Sequence, residues 1–171
     1  MDRKSELTND DLRLSAETSA DAVVLVDAED RVVGTMAKLE AHRRGLLHRA
    51  VSVFVRDSSD RLLLQQRAPG KYHSGGLWTN TCCSHPRPGE SVAEAAERRL
   101  VEEMGFSCSL TFLFLMRYCA PVPNGLVEHE LVHVFGGRFD GAPDPNPREV
   151  MAWCWSAPTE IAKDVEKRPQ A

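Results

Sequence analysis

The sequence predicts an α+β fold, an αβα sandwich about a mixed central sheet, on three observations. One helix is strongly signalled near the middle of the chain, strands precede and follow it, and further helical pieces sit at the flanks. Regular strand–helix alternation is missing from the pattern, which argues against a doubly wound nucleotide fold. No glycine-rich phosphate loop of the Walker or dinucleotide kind occurs. The 171 residues, 42% hydrophobic and 27% charged, suit one globular domain, expected over residues 21–171.

Taken in order, residues 1–20 are polar and poor in aromatics, so they are expected to form a mobile leader. Ala22 to Asp27 is a short apolar strand, and Ala28 to Asp30 turns it into a second strand, Arg31 to Thr35, making a hairpin. Met36 to Leu47 reads as helix, with Lys38, His42, Arg43 and Arg44 as its polar residues and Gly45 as a break flanked by His42 and His48. Ala50 to Arg56 alternates and is rich in valine. Arg61 to Arg67 follows a polar turn, so the two are expected to form a central hairpin. Ala68 to Gly76 is a Pro/Gly loop containing Lys71.

The central helix opens with a capping box, Ser91 with Glu94, and closes at Gly105, the residue type that most readily takes a left-handed cap. Val92, Ala96, Leu100 and Met104 form its apolar stripe, while Arg99, Glu102 and Glu103 share another face at i, i+3 and i+4. Thr111 to Tyr118 is a strand, Pro121 to Gly125 a turn, and Glu128 to Phe139 an alternating strand. Glu128 and Glu130 therefore face one side together, an arrangement that calls for a cation or a shared proton. Asp140 to Arg148 is a proline-rich loop, Val150 to Trp155 a last strand, and Pro158 to Lys167 a helix with proline in its first turn.

A net charge of -4 gives no general basic footprint, so nucleic acid is not an expected partner, though a local basic pocket for a small anion is compatible with it. No apolar run has the length of a membrane span and the N-terminus lacks a signal peptide's apolar core, so a soluble, cytoplasmic protein is expected. The five cysteines, two of them adjacent, are expected as reduced thiols. Cys82, Cys108, Cys119 and Cys154 are read as core residues, and His73 and His133 as surface or satisfied core positions.

The densest chemistry lies between Trp78 and Gly105: Cys82, Cys83 and His85, then Glu90, Arg98, Arg99, Glu102 and Glu103. The spacing from Glu90 to Gly105 resembles the Nudix box, a loop and helix whose glutamates bind divalent metal and a substrate diphosphate. Ser84 and Arg99 depart from the hydrolase pattern, standing where that box has its first glycine and the first of its metal-binding glutamates. The wider chain resembles the type I isopentenyl diphosphate isomerases, a Nudix branch. The matching pieces are Gly34 with Lys38 and His42, Leu47 with His48 and Arg49, Trp78 to Pro86, and Glu128 to Glu130.

The resemblance implies interconversion of isopentenyl and dimethylallyl diphosphate, by proton addition and removal through a tertiary carbocation. It implies a metal site of His42, His48, His85, Glu128 and Glu130, holding manganese, zinc or magnesium. Glu103 would hold a second metal, magnesium, that arrives with the diphosphate. Cys83 would be the catalytic cysteine and Tyr118 the partner of the catalytic Glu130. Lys38, Arg67, Lys71 and Arg99 would grip the diphosphate. Trp78 would either face the cation with its ring or pack the pocket wall. Which group gives the first proton, and whether the protein is a monomer or a dimer, stay open.

Family members continue past this point with a segment whose aromatic residue closes over the substrate. No such C-terminal lid precedes Ala171, which the resemblance reads either as a truncated form or as a lid supplied from elsewhere, by the leader or a partner chain; fold and binding are expected to survive in both, with turnover the property at stake. The competing readings are a Nudix pyrophosphohydrolase of a nucleoside diphosphate derivative, which Arg99 argues against, and a catalytically silent diphosphate-binding form.

Overall fold

The computed structural model describes residues 21–168; the expected leader at residues 1–20 lies outside them. Strands β1 (Ala22–Val26) and β2 (Val32–Ala37) form the first hairpin and lead into helix α1 (Lys38–Arg44). The helix is shorter than the periodicity suggests. Met36 and Ala37 are claimed by β2 through pairing with Val23 and Ala22, and Gly45, at φ 60, ends the helix with its N–H on Ala41 and His42 carbonyls.

Strand β3 (His48–Arg56) is the centre of the sheet. Its valines suit a pleated, two-sided burial, with Val51, Val53 and Val55 facing one core cluster and Ala50 another. The central hairpin expected with β4 (Leu62–Arg67) exists only at its tip, where Arg56 pairs with Leu62. Beyond the tip the strands part. β4 pairs with β5 (Trp78–Thr79) and β9 (Val150–Ser156), whereas β3 takes β6 (Cys82–Ser84) and, in parallel, β8 (Leu126–Arg138). The sheet is thus mixed, and β7 (Leu110–Val122) extends it on the far side of β8.

Helix α2 (Val92–Met104) forms as its sequence predicts. Ser91 Oγ accepts the Glu94 N–H at 3.3 Å, and the Glu94 carboxylate accepts the Ser91 N–H at 3.0 Å. Ala95, Ala96, Leu100 and Met104 are buried against Val51, Val53, Val55 and Cys82. Complete burial of a leucine or methionine contributes about 1.5–3 kcal/mol, so this seam anchors the helix to β3. Gly105 is required at the helix end: its φ is +73, and a Cβ there would meet the Asp144 carbonyl oxygen at 2.0 Å. The proline-rich loop bonds back onto the helix here, Asp144 N to the Met104 carbonyl and Asn146 N to that of Glu103. Helix α3 (Pro158–Lys167) closes the described chain.

Of the cysteines read as core, Cys82 is fully buried and Cys108 and Cys154 are partly so, but Cys119 is exposed. Tyr118 faces the cavity described below, and the alternation of β7 turns the next side chain to the opposite face. Among the described residues no helix is long and apolar enough to cross a membrane.

Candidate active site and metal centre

Parallel pairing of β3 with β8 sets His48 opposite Glu130, and antiparallel pairing of β7 with β8 sets Tyr118 opposite the same Glu130. β6 brings Cys83 opposite Ser52 and leads directly to His85. His42, buried on the short helix α1, completes the group. One ligand atom each from His42, His48, His85 and Glu130 lies within 4.8 Å of the others.

The backbone fixes the chemistry of two of these imidazoles. His42 Nδ1 lies 2.8 Å from the Lys38 carbonyl and His48 Nδ1 2.8 Å from that of Leu46. A carbonyl can only accept, so both rings carry their proton on Nδ1 and aim the Nε2 lone pair into the cluster. There His48 Nε2 and His85 Nε2 stand 3.2 Å apart, with His85 Nε2 3.0 Å from Glu130 Oε1. Burial pushes His42 down to about 4 and also lowers His85, keeping these two imidazoles in the neutral form that ligates. Converging lone pairs beside a carboxylate are the donor set for a divalent cation. These four residues could hold one.

The fifth residue of the expected ligand set, Glu128, stands outside this group. Its Oε2 accepts from the Tyr118 hydroxyl at 2.9 Å, and Oε1 lies 3.4 Å from His73 Nε2. Tyr118 also lies 2.9 Å from Glu130 Oε2, so one hydroxyl bridges the two carboxylates. Their environments pull them apart. Burial, with the Glu130 charge behind it, raises Glu128. Burial would raise Glu130 too, but the hydrogen bond from His85 Nε2 to Oε1 at 3.0 Å outweighs it and holds this carboxylate below its ordinary range. Burial and the two carboxylates keep Tyr118 protonated.

A cavity of about 430 Å³ opens onto these groups and is also lined by Cys83, Trp78, Arg67, Lys71, Arg99 and Glu103. Cys83 Sγ donates to Asn80 Oδ1 at 3.0 Å and lies 3.4 Å from Ser52 Oγ. Although the residue has open surface, the concave wall around its sulfur leaves little water there, and this desolvation pushes the thiol up to about 11. At neutral pH it holds its proton. Cys82, by contrast, is sealed in the core against α2.

The four basic residues expected to grip a diphosphate line this one cavity, and three of them are braced by acids. Arg99 bonds Glu102 and Glu103, Lys71 pairs with Glu149, and Lys38 pairs with Asp21 at 2.8 Å. Glu103 is buried, its second oxygen held by Gln65 Nε2 at 2.9 Å. Among the described residues, the Nε atoms of Arg67 and Arg99 are buried without a partner. Glu90 braces α2, its carboxylate taking two bonds from Arg98 at 2.6 and 2.8 Å.

Sequence reading gave no role to His73, expected at the surface or as a satisfied core residue; it is the second of these, buried beside Glu128. Sequence reading missed Tyr72, whose hydroxyl is 3.4 Å from His42 Nε2, and Asn80, which ties Cys83 to Ser52 and to the Val53 carbonyl. The one available signal was position: Tyr72 and His73 immediately precede the Trp78 to Pro86 segment within a turn-rich loop, and Asn80 lies inside that segment.

The family model for the NUDIX domain matches residues 46–171. The chain is 57% identical over 150 residues to isopentenyl-diphosphate Delta-isomerase 2 of Aromatoleum aromaticum, covering 88% of this chain and 79% of that one. It is 56% identical over 149 residues to the isopentenyl-diphosphate Delta-isomerase of Burkholderia multivorans, covering 87% and 85%. Among solved structures, the Deinococcus radiodurans protein DR0079 superposes with a TM-score of 0.72 at 22% identity, over 85% of this chain and 89% of that one. A MutT protein from Methanosarcina mazei does so at 0.59 and 18%, over 68% and 81%. These two likenesses speak to the fold. Identity above one half across most of both chains carries further, and by it this chain belongs to the isopentenyl-diphosphate Delta-isomerases, built on a Nudix domain.

Proposed function

We infer that the chain interconverts isopentenyl and dimethylallyl diphosphate, moving a carbon–carbon double bond by one protonation and one deprotonation. The observation that carries this is the pairing, within one cavity, of a thiol that holds its proton with a carboxylate that has lost its own. Cys83 is the first, pushed up to about 11 by desolvation; Glu130 is the second, its carboxyl held below the ordinary range by the hydrogen bond from His85. The reaction needs one acid and one base facing a carbocation in a site poor in water. In this state Cys83 gives a proton to the alkene and Glu130, with Tyr118 bonded to it, takes one from the neighbouring carbon. In the reverse direction the two exchange roles, as microscopic reversibility demands.

The donor set of His42, His48, His85 and Glu130, joined by Glu128, fits a resident manganese, zinc or magnesium ion. A bound ion there would fix the orientation and charge of Glu130. Arg67 and Arg99, with buried Nε–H groups lacking partners among the described residues, and Lys38 and Lys71 would receive the diphosphate, and Glu103 would hold the magnesium that accompanies it. Trp78, 39% exposed at the cavity, offers a π face to the cation. The substrate partner is a small-molecule diphosphate.

Proton NMR of isopentenyl diphosphate with the full chain and magnesium in heavy water tests the reading. Deuterium carried into a dimethylallyl product is expected. Release of phosphate or pyrophosphate from a nucleotide without alkene isomerisation would refute it, and binding without exchange would identify a silent diphosphate-binding form.

A further inference from the structure

His73 is 5% exposed, sits in the loop between β4 and β5, and is used by nothing so far described. Its position is fixed from several sides. The His73 carbonyl accepts from Arg67 Nη2 at 3.3 Å, and the preceding Tyr72 carbonyl accepts from Asn124 Nδ2, in the turn between β7 and β8, at 2.9 Å. The Tyr72 ring stands edge-on to the His73 ring, their centroids 4.3 Å apart. A ring held this way points Nε2 at Glu128 Oε1, 3.4 Å away, while Nδ1 lies 3.1 Å from the Ser74 hydroxyl. A carboxylate oxygen only accepts, so an attractive contact places the proton on Nε2. The Ser74 hydroxyl can then donate to Nδ1, and both ring nitrogens are satisfied in one tautomer.

Glu128 matters because its other oxygen shares Tyr118 with Glu130. Left to itself, a carboxylate beside a second carboxylate would swing away, since like charges side by side repel. We propose that His73 is a positioning residue for Glu128: its Nε2–H holds Oε1, which keeps Oε2 on the Tyr118 hydroxyl that it shares with Glu130, the carboxylate of the His42, His48, His85 and Glu130 group. This rests on the reading that Glu128 joins that group in binding a divalent ion. Groups that orient a metal ligand in this way typically change metal affinity 10–100-fold when removed.

The test is Mn2+ affinity, measured by calorimetry on the chelator-treated full chain, for His73→Asn, His73→Gln, Glu128→Gln and the His73→Asn/Glu128→Gln double variant. The glutamine amide can reach the place of Nε2 and keep a donor there. The shorter asparagine amide overlies Nδ1 and leaves Oε1 without one. We expect His73→Asn to weaken Mn2+ binding at least tenfold, His73→Gln to stay within about threefold of the parent, and the asparagine effect to vanish in the Glu128→Gln background. His73→Ala is read in its place if the asparagine variant does not melt cooperatively. Unchanged affinity in a folded His73→Asn or His73→Ala chain, while Glu128→Gln does weaken binding, overturns the role of His73 alone. Equal weakening in both backgrounds also overturns it, by showing that His73 acts without Glu128. No effect of Glu128→Gln removes the underlying reading of Glu128 as a ligand.

Discussion

Two adjacent cysteines of identical chemistry give the sharpest test of the mechanism. Cys83→Ala removes the thiol that bonds Asn80 Oδ1 at 3.0 Å and faces Ser52 Oγ at 3.4 Å, and with it the proton the cavity holds ready. A positioned acid or base contributes about 10²–10⁴-fold to rate, which at 1.36 kcal/mol per decade is about 2.7–5.4 kcal/mol of barrier. Substrate binding should hardly change, because the basic residues that receive the diphosphate are untouched. Cys82→Ala should do the opposite. The residue is 0% exposed and belongs to the core cluster that holds Val53, Ala96 and Leu100, so its loss leaves a small cavity that costs about 1 kcal/mol of stability and leaves turnover intact. The assay is deuterium exchange followed by proton NMR at saturating isopentenyl diphosphate and magnesium, with thermal melts of both variants. Cys83→Ala turning over within about threefold of the parent would refute the assignment. So would a Cys82→Ala chain that folds normally yet loses as much rate.

Lys71→Met should raise the apparent KM about tenfold with little change in kcat, since Lys71 is assigned to a remote part of the substrate; an intact KM with a lost kcat would contradict that. Chelation should lower the melting temperature, by an amount corresponding to about 2.7 kcal/mol if free metal had stood at a hundred times its Kd, and His48→Ala should abolish the difference between chelated and metal-loaded chains. The Glu90 carboxyl is held below its ordinary value chiefly by its bonds from Arg98. A depressed folded value means that this stabilisation, about 1 kcal/mol for a partly exposed pair, is complete above the unfolded value near 4.5 and disappears as pH falls through the folded one. Glu90→Gln should therefore melt earlier than the parent at pH 7, with the gap closing in acid. A gap that widened below pH 4 would show the sign to be wrong.

Local interactions were legible in the sequence because they are made between residues a few positions apart. The Ser91–Glu94 box, the stripe through Leu100 and Met104, and the left-handed Gly105 define α2 within one continuous segment. The period of a strand is equally local, so Glu128 and Glu130 could be placed on one face before any neighbour was known. His42, His48 and His85 came into view only through resemblance, since nothing in their spacing says that they meet. What brings them together is the choice of strand partners. β3 runs parallel to β8 and not along β4, which is decided by the burial of Val51, Val53 and Val55 against α2, a property of the whole packed core. The same global choice exposed Cys119, buried His73 against Glu128 and set Asn80 beneath Cys83. Sequence determined which segments form and which reactive groups each one carries. The tertiary structure decided which of those groups face one another, because contacts between distant segments depend on how all the apolar faces are buried at once.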